Sequence, residues 1–127
     1  MRAREINAPD APAPQGGYAQ AIEVTHATRL LFISGQVPET AAGVVPEDFR
    51  SQARLAWAHI VAQLTAAGLG VANLVKVTTF LASRQHAADN SEIRQEVLGT
   101  HRPALTVVIT GIYDQRWLLE IEAIAAD

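Results

Sequence analysis

The 127-residue chain contains no cysteine, which excludes a disulfide framework, a thiolate metal site and a cysteine nucleophile. Aromatic residues make up only 6% of the sequence and charged residues only 18%. The net charge is -3, so the chain lacks the excess of basic residues that neutralises phosphates along a nucleic acid. No apolar run approaches the length of a membrane-spanning helix. We therefore expect a cytoplasmic protein with neither a nucleic acid nor a membrane as partner.

Histidine is present, but its pattern does not indicate a metal centre. The four residues His26, His59, His86 and His101 are scattered along the chain, and none forms a spaced ligand pair. No glycine-rich nucleotide fingerprint follows a predicted strand either. We expect neither a metal nor another cofactor.

Hydrophobic residues account for 49% of the chain, enough for one core, so we predict a single domain over residues 1–127. The pattern predicts strands at 4–7, 19–24, 30–34, 74–82, 105–109 and 117–125, and helices at about 47–67 and 88–98. We expect 19–24 to pair with 30–34 across a turn at 25–28, and the last two strands to pair with each other.

The resulting order β-β-β-α-β-α-β-β predicts an α+β fold with the helices on one face of a mixed sheet, because strands and helices do not alternate regularly enough for a doubly wound fold. The first helix gives the clearest signal. Its apolar residues recur at steps of three or four, and Gly68 marks its end. They are Phe49, Ala53, Trp57, Ile60, Leu64 and Ala67.

The last strand presents two different faces, because successive side chains of a strand point to opposite sides. One face suits packing against helices and carries Trp117, Leu119, Ile121 and Ala123. The other mixes carboxylates with aliphatic side chains and carries Leu118, Glu120, Glu122 and Ile124. This second face is too apolar to be a plain solvated surface, so we expect subunits to associate through the sheet.

Four segments resemble motifs of one known family. Residues 17–21 (GYAQA) resemble its G-P-Y-S-Q-A segment, and residues 32–36 (FISGQ) resemble its F-x-S-G-Q strand end. Residues 75–81 (VKVTTFL) are similar to V-V-K-T-T-V-F-L, and residues 119–125 (LEIEAIA) to V-E-I-E-A-I-A. The segments occur in the family's order, and the chain resembles the Rid family (reactive intermediate deaminase, YjgF-type or RutC).

This resemblance implies a chorismate-mutase-like fold and a homotrimer with three clefts at the subunit boundaries. Complete members hydrolyse enamines and imines such as 2-aminoacrylate to a 2-keto acid and ammonia, without a cofactor. The resemblance assigns Tyr18 and Ser34 to the ligand pocket and gives Glu120 the catalytic role of positioning water. Leu105 and Val107, together with Trp117, complete the predicted ligand-binding set.

The substrate-gripping arginine of the family is missing. Its P-A-R-S stretch reads PALT at residues 103–106, so Leu105 occupies the arginine position. A guanidinium offers a carboxylate two parallel donors, whereas leucine offers none. We therefore expect typical deaminase activity to be absent or very weak, unless Arg102 or Arg116 substitutes.

Several interpretations of these residues remain open. Glu120 is the best catalytic candidate, although it could instead serve a structural ion pair, and for Glu122 we favour a structural role over an acid-base partnership. The leading hypothesis is metabolite binding in the clefts, with hydrolysis of a non-standard enamine or imine. The alternative is a ligand-sensing or partner-stabilising module without turnover. Ribonuclease activity is the least favoured function, because the chain lacks a basic patch.

Overall fold

The computed structural model describes all residues from 1 to 127. Its eight main elements follow the predicted order and confirm the α+β class. The strands are β1 (Arg2–Ile6), β2 (Ala21–Thr25), β3 (Leu30–Gln36), β4 (Leu74–Leu81), β5 (Ala104–Ile109) and β6 (Leu119–Ala126). The helices are α1 (Phe49–Ala66) and α2 (Ala87–Leu98), and neither is long and apolar enough to cross a bilayer.

The strand pairing differs from the sequence prediction in two places. Strand β2 pairs with β1 rather than with β3, and β6 lies between β3 and β4 in a sheet of order β3-β6-β4-β5. Both predicted hairpins were therefore wrong. Predictions based on short turns favour pairing between strands that are neighbours in sequence. Here β6 instead pairs with both β3 and β4, and β5 runs parallel to β4.

One face of this four-stranded sheet is covered by the helices. The inward side chains of β6 are fully or nearly fully buried, as the two-residue alternation predicts. They join the apolar face of α1 in one core cluster, whose largest members include Trp57, Ile60, Leu64, Leu119 and Ile121. Trp117 precedes the strand, so its predicted place on the inner face of β6 was wrong.

Helix α1 begins where the sequence predicts, because Asp48 caps its first turn. The Asp48 carboxylate accepts a hydrogen bond from the Ser51 backbone N–H at 2.9 Å, and this bond lowers the pKa of Asp48. At the other end, Gly68 adopts φ +74°, a conformation that glycine reaches without strain. These two signals account for the accuracy of the predicted helix boundaries.

Helix α2 is held against α1 by ion pairs at the surface. Arg50 on α1 donates to Asp89 at 2.8 Å and to Glu92 at 3.1 Å, and the hydrogen bonds to Glu92 and Asp89 raise the pKa of Arg50. The buried side of α2 is unusually polar. It carries Asn90 and Arg94 beside Ile93 and Leu98, and this polar stretch faces the cavity described below.

The N-cap gives a pH-dependent prediction. Because the folded-state pKa of Asp48 is depressed, its contribution is present above the unfolded value of about 3.9 and is lost as pH falls through the folded value. Asp48→Ala should lower Tm at pH 7, and this difference should shrink in more acidic buffer. Asp48→Asn, which keeps an acceptor, is the matched control for thermal melts. An equal loss of Tm at every pH would contradict the assignment.

Candidate functional site

A cavity of about 380 Å³ lies between α2, β5 and the segment that precedes β2. Its strand wall is apolar and consists of Leu105 and Val107, while Tyr18 closes one end. The helix contributes polar groups to the opposite wall. The full lining is Tyr18, Gln20, Ala87, Asn90, Ser91, Arg94, Leu105 and Val107. Three predicted ligand-binding residues thus share a cavity of the size that small metabolites occupy.

The position of Tyr18 follows from the backbone on either side of it. The next residue, Ala19, is buried, and its N–H donates to the Pro103 carbonyl at 3.0 Å, which joins this segment to the start of β5. The Tyr18 hydroxyl accepts a hydrogen bond from the Gln15 backbone N–H at 3.1 Å. This hydrogen bond ties the Tyr18 ring to the loop that contains Gly16 and Gly17.

Arg94 is the one buried cation of the chain, with only 4% of its surface exposed. One terminal nitrogen donates to the Gly16 carbonyl at 3.4 Å and to the Ser91 hydroxyl at 3.2 Å. No carboxylate pairs with the guanidinium, and its buried Nε has no hydrogen-bond partner. Burial lowers the pKa of Arg94, and the nearby Tyr18 partly offsets that effect.

Glu120 lies on the other side of the sheet from this cavity. Leu105 is in register with Val77, which is fully buried under the helices, whereas Glu120 is in register with Phe80 on the outer face. The Glu120 side chain rests against Gly35, where an added Cβ would come within 2.7 Å of the Glu120 Cδ. One chain therefore does not bring its own Glu120 to its own cavity.

The remaining predicted site residues lie outside the cavity. Ser34 is exposed on β3, beside Gly35 and thus near Glu120. Trp117 lies in the segment before β6, with its indole N–H buried and unpaired. Neither residue lines the cavity that contains Leu105.

The two arginines considered as substitutes are engaged elsewhere. Arg102 pairs with Glu5 at 3.1 Å, and Arg116 pairs with Asp114 at 2.9 Å and with Glu39 at 3.4 Å. The hydrogen bond from Arg116 lowers the pKa of Asp114. Neither guanidinium lines the cavity at Leu105, so the cation present there is Arg94 instead.

The outer face of the sheet mixes apolar side chains with carboxylates, as the sequence of its last strand predicted. Phe32 is 70% exposed and Leu30 58% exposed on the edge strand β3. The Lys76 ammonium donates to the Thr106 hydroxyl at 2.7 Å rather than to a glutamate of β6. Glu120 and Glu122 form no ion pair within the chain, and they lie on the surface that the helices leave uncovered.

Sequence reasoning missed the helix wall of the cavity. The signal was present in the spacing, since Asn90 and Arg94 are four residues apart and flank the buried Ile93. Polar residues on the packed side of a helix indicate a polar site beneath it. The sequence predicted the boundaries of the second helix, but its weakly apolar pattern did not show which face is buried.

The comparisons with known proteins agree with this fold. A family model described as Endoribonuclease L-PSP matches residues 8–127. A RutC family protein of Pyrococcus horikoshii is 36% identical over 118 residues, which cover 91% of each chain. The crystal structure of YyfB from Yersinia pestis, a Rid-family protein of unknown function, matches with a TM-score of 0.85 at 27% identity and covers 100% of both chains.

A further solved structure carries a bound small molecule. TdcF of Escherichia coli, crystallised with bound serine, matches with a TM-score of 0.73 at 30% identity over 98% of each chain. Its curated name places it among the reactive intermediate deaminases. Because the family model matches nearly the whole chain and the relatives share its fold, the chain belongs to the Rid (YjgF-type) family.

The contact between Gly35 and Glu120 predicts energetic coupling between them. Gly35→Ala should force the Glu120 side chain out of its rotamer and cost about 0.5–1.5 kcal/mol. In a Glu120→Ala background the same change should cost almost nothing, because the obstructing atoms are gone. Urea unfolding of the four proteins at one protein concentration measures this coupling. Equal costs in both backgrounds would show that the two residues do not touch.

Proposed function

We propose that this chain forms a homotrimer in which each inter-subunit cleft binds one small metabolite. The cavity lined by Tyr18, Leu105 and Val107 carries the proposal, because it contains three of the residues predicted to bind the ligand. Its volume of about 380 Å³ suits a compound of a few carbons rather than a large cofactor. The serine bound by the relative TdcF is a molecule of this class.

The arrangement of the sheet supports a site shared between subunits. Glu120 and the cavity lie on opposite faces, so a ligand in the cavity meets a carboxylate at this position only if a neighbouring chain supplies it. The exposed Phe32 and Leu30 give the outer face the apolar surface that association would bury. In the proposed trimer, one subunit contributes the cavity and its neighbour contributes Glu120.

The chemistry proposed for this cleft is hydrolysis of a non-standard enamine or imine. Water adds to the carbon of the C=N bond, ammonia leaves and a carbonyl product remains, with Glu120 positioning the water. Leu105 separates this chain from complete family members, because it removes the two-pronged donor set from the strand wall. A substrate held at that point by its carboxylate is therefore disfavoured.

The role of Leu105 is tested with 2-aminoacrylate generated in situ. The wild-type protein should release ammonia from it scarcely faster than the uncatalysed reaction. Leu105→Arg should raise that rate roughly tenfold or more, because charge-assisted hydrogen bonds contribute about 1.5–3 kcal/mol each. Leu105→Gln, polar but uncharged, is the control. A wild-type rate equal to that of a complete family member would refute this reading of Leu105.

Occupation of the cavity is tested by blocking it. Ala87 lines the cavity and is exposed at the start of α2, so Ala87→Trp should fill the space without disturbing the core. Small metabolites that raise the Tm of the wild type should lose that effect in Ala87→Trp and keep it in Ala62→Trp, a control on the exposed side of α1. Ligand-induced shifts of equal size in both variants would place the binding site elsewhere.

The alternative is a ligand-sensing module without turnover, and the observation that favours it is also Leu105. A cleft that binds its ligand without holding the reacting end could signal that the ligand is bound instead of converting the ligand. Recovery of the stabilising ligand unchanged after prolonged incubation would select this alternative over hydrolysis. The name of the family model refers to ribonuclease activity, which we do not extend to a chain with a net charge of -3.

A further inference from the structure

Arg94 is a buried cation without a carboxylate partner in the chain, and the proposed function does not account for it. Only 4% of the surface of Arg94 is exposed, and a charge buried to this degree is normally compensated by a carboxylate. Here it has only two long hydrogen bonds from one terminal nitrogen, to Gly16 and Ser91. Its Nε is buried without any partner. The group therefore retains donors that no part of the chain uses.

The surroundings of Arg94 indicate what would use them. It lines the cavity from α2, and no acidic residue is among the cavity-lining residues. Asn90 and Ser91 add neutral polar groups beside it on the same helix, whereas Leu105 and Val107 form an apolar wall on β5. The cavity is thus polarised, with a cation at one wall and hydrocarbon at the other.

We propose that Arg94 is the specificity-determining residue of this cavity and that it binds the carboxylate of a small monocarboxylate whose apolar body packs on Leu105 and Val107. This inference rests on the proposed binding function and adds the ligand class. It places the anion on the helix wall, opposite the strand position that Leu105 occupies. The expected ligand has an anionic end and a short hydrocarbon body, with no second charge to bury.

The other arginines show why Arg94 is distinctive. Arg50 and Arg54 pair with carboxylates of α2 at the surface, and Arg102 and Arg116 pair with acidic residues that do not line the cavity. Each of these cations is already neutralised and partly solvated. Arg94 alone is buried, lacks a carboxylate partner and lines a cavity large enough for one.

The test compares two probes of the same shape, 3-methylbutanoate and its neutral amide, by isothermal titration. The wild type should bind the acid roughly tenfold or more tightly than the amide, the factor that one charge-assisted hydrogen bond supplies. Arg94→Gln should abolish this preference, because it should lower the affinity for the acid far more than the affinity for the amide. Arg54→Gln, which removes an exposed cation from α1, should keep the preference of the wild type.

Arg94→Lys provides a second reading, including the case in which Arg94→Gln does not fold. An ammonium retains the charge but not the planar donor set, so the affinity for the acid should fall several-fold and that for the amide should not. An acid affinity unchanged in Arg94→Lys, or an acid preference that survives in Arg94→Gln, would overturn the proposal.

The outcomes also distinguish this inference from the proposed function. Equal binding of both probes by the wild type, abolished by Ala87→Trp, would leave the binding cavity intact and overturn only the role of Arg94. Binding of neither probe would overturn the monocarboxylate assignment, and the screen of other metabolites against Ala87→Trp would still decide whether the cavity binds ligands.

Discussion

The register of β6 against β4, and of β4 against β5, is the constraint on which the rest of the molecule depends. Because side chains alternate across a strand, this register sends Leu105 toward the helices and Glu120 toward the uncovered face. A slip of one residue in either pairing would turn the side chains of the slipped strand to the opposite face of the sheet. The register therefore divides the predicted site residues into two groups that a single chain cannot unite, and it makes assembly a requirement of the proposed chemistry.

The character of the cavity follows from the contrast between the residues that its strand and its helix contribute. Leu105 makes the wall of β5 apolar, while α2 presents the buried cation Arg94 and the amide of Asn90. Helix α2 is anchored in the core by the buried Ile93 and Leu98, so these groups are positioned by a helix rather than by a loop. The charge that lines this cavity therefore comes from the helix and not from the strand.

The sequence predicted the helices and strands of this fold more accurately than it predicted which strands pair with each other. Helix α1 was located by its cap at Asp48, its apolar spacing and Gly68, all of which are local signals. Strand pairing is not local, and the insertion of β6 between β3 and β4 could not be read from turns. The family resemblance predicted Tyr18 and Leu105 as pocket residues, and both line the cavity. It did not predict Arg94, because the burial of Arg94 depends on residues that are distant in sequence.

A crystal structure of the protein grown with 3-methylbutanoate tests the shared site most directly. We predict three chains around a threefold axis, with the carboxylate on the Arg94 guanidinium and Glu120 of a neighbouring subunit facing the same cleft. A cavity bounded by one chain alone, with every Glu120 turned away from it, would contradict a site shared between subunits.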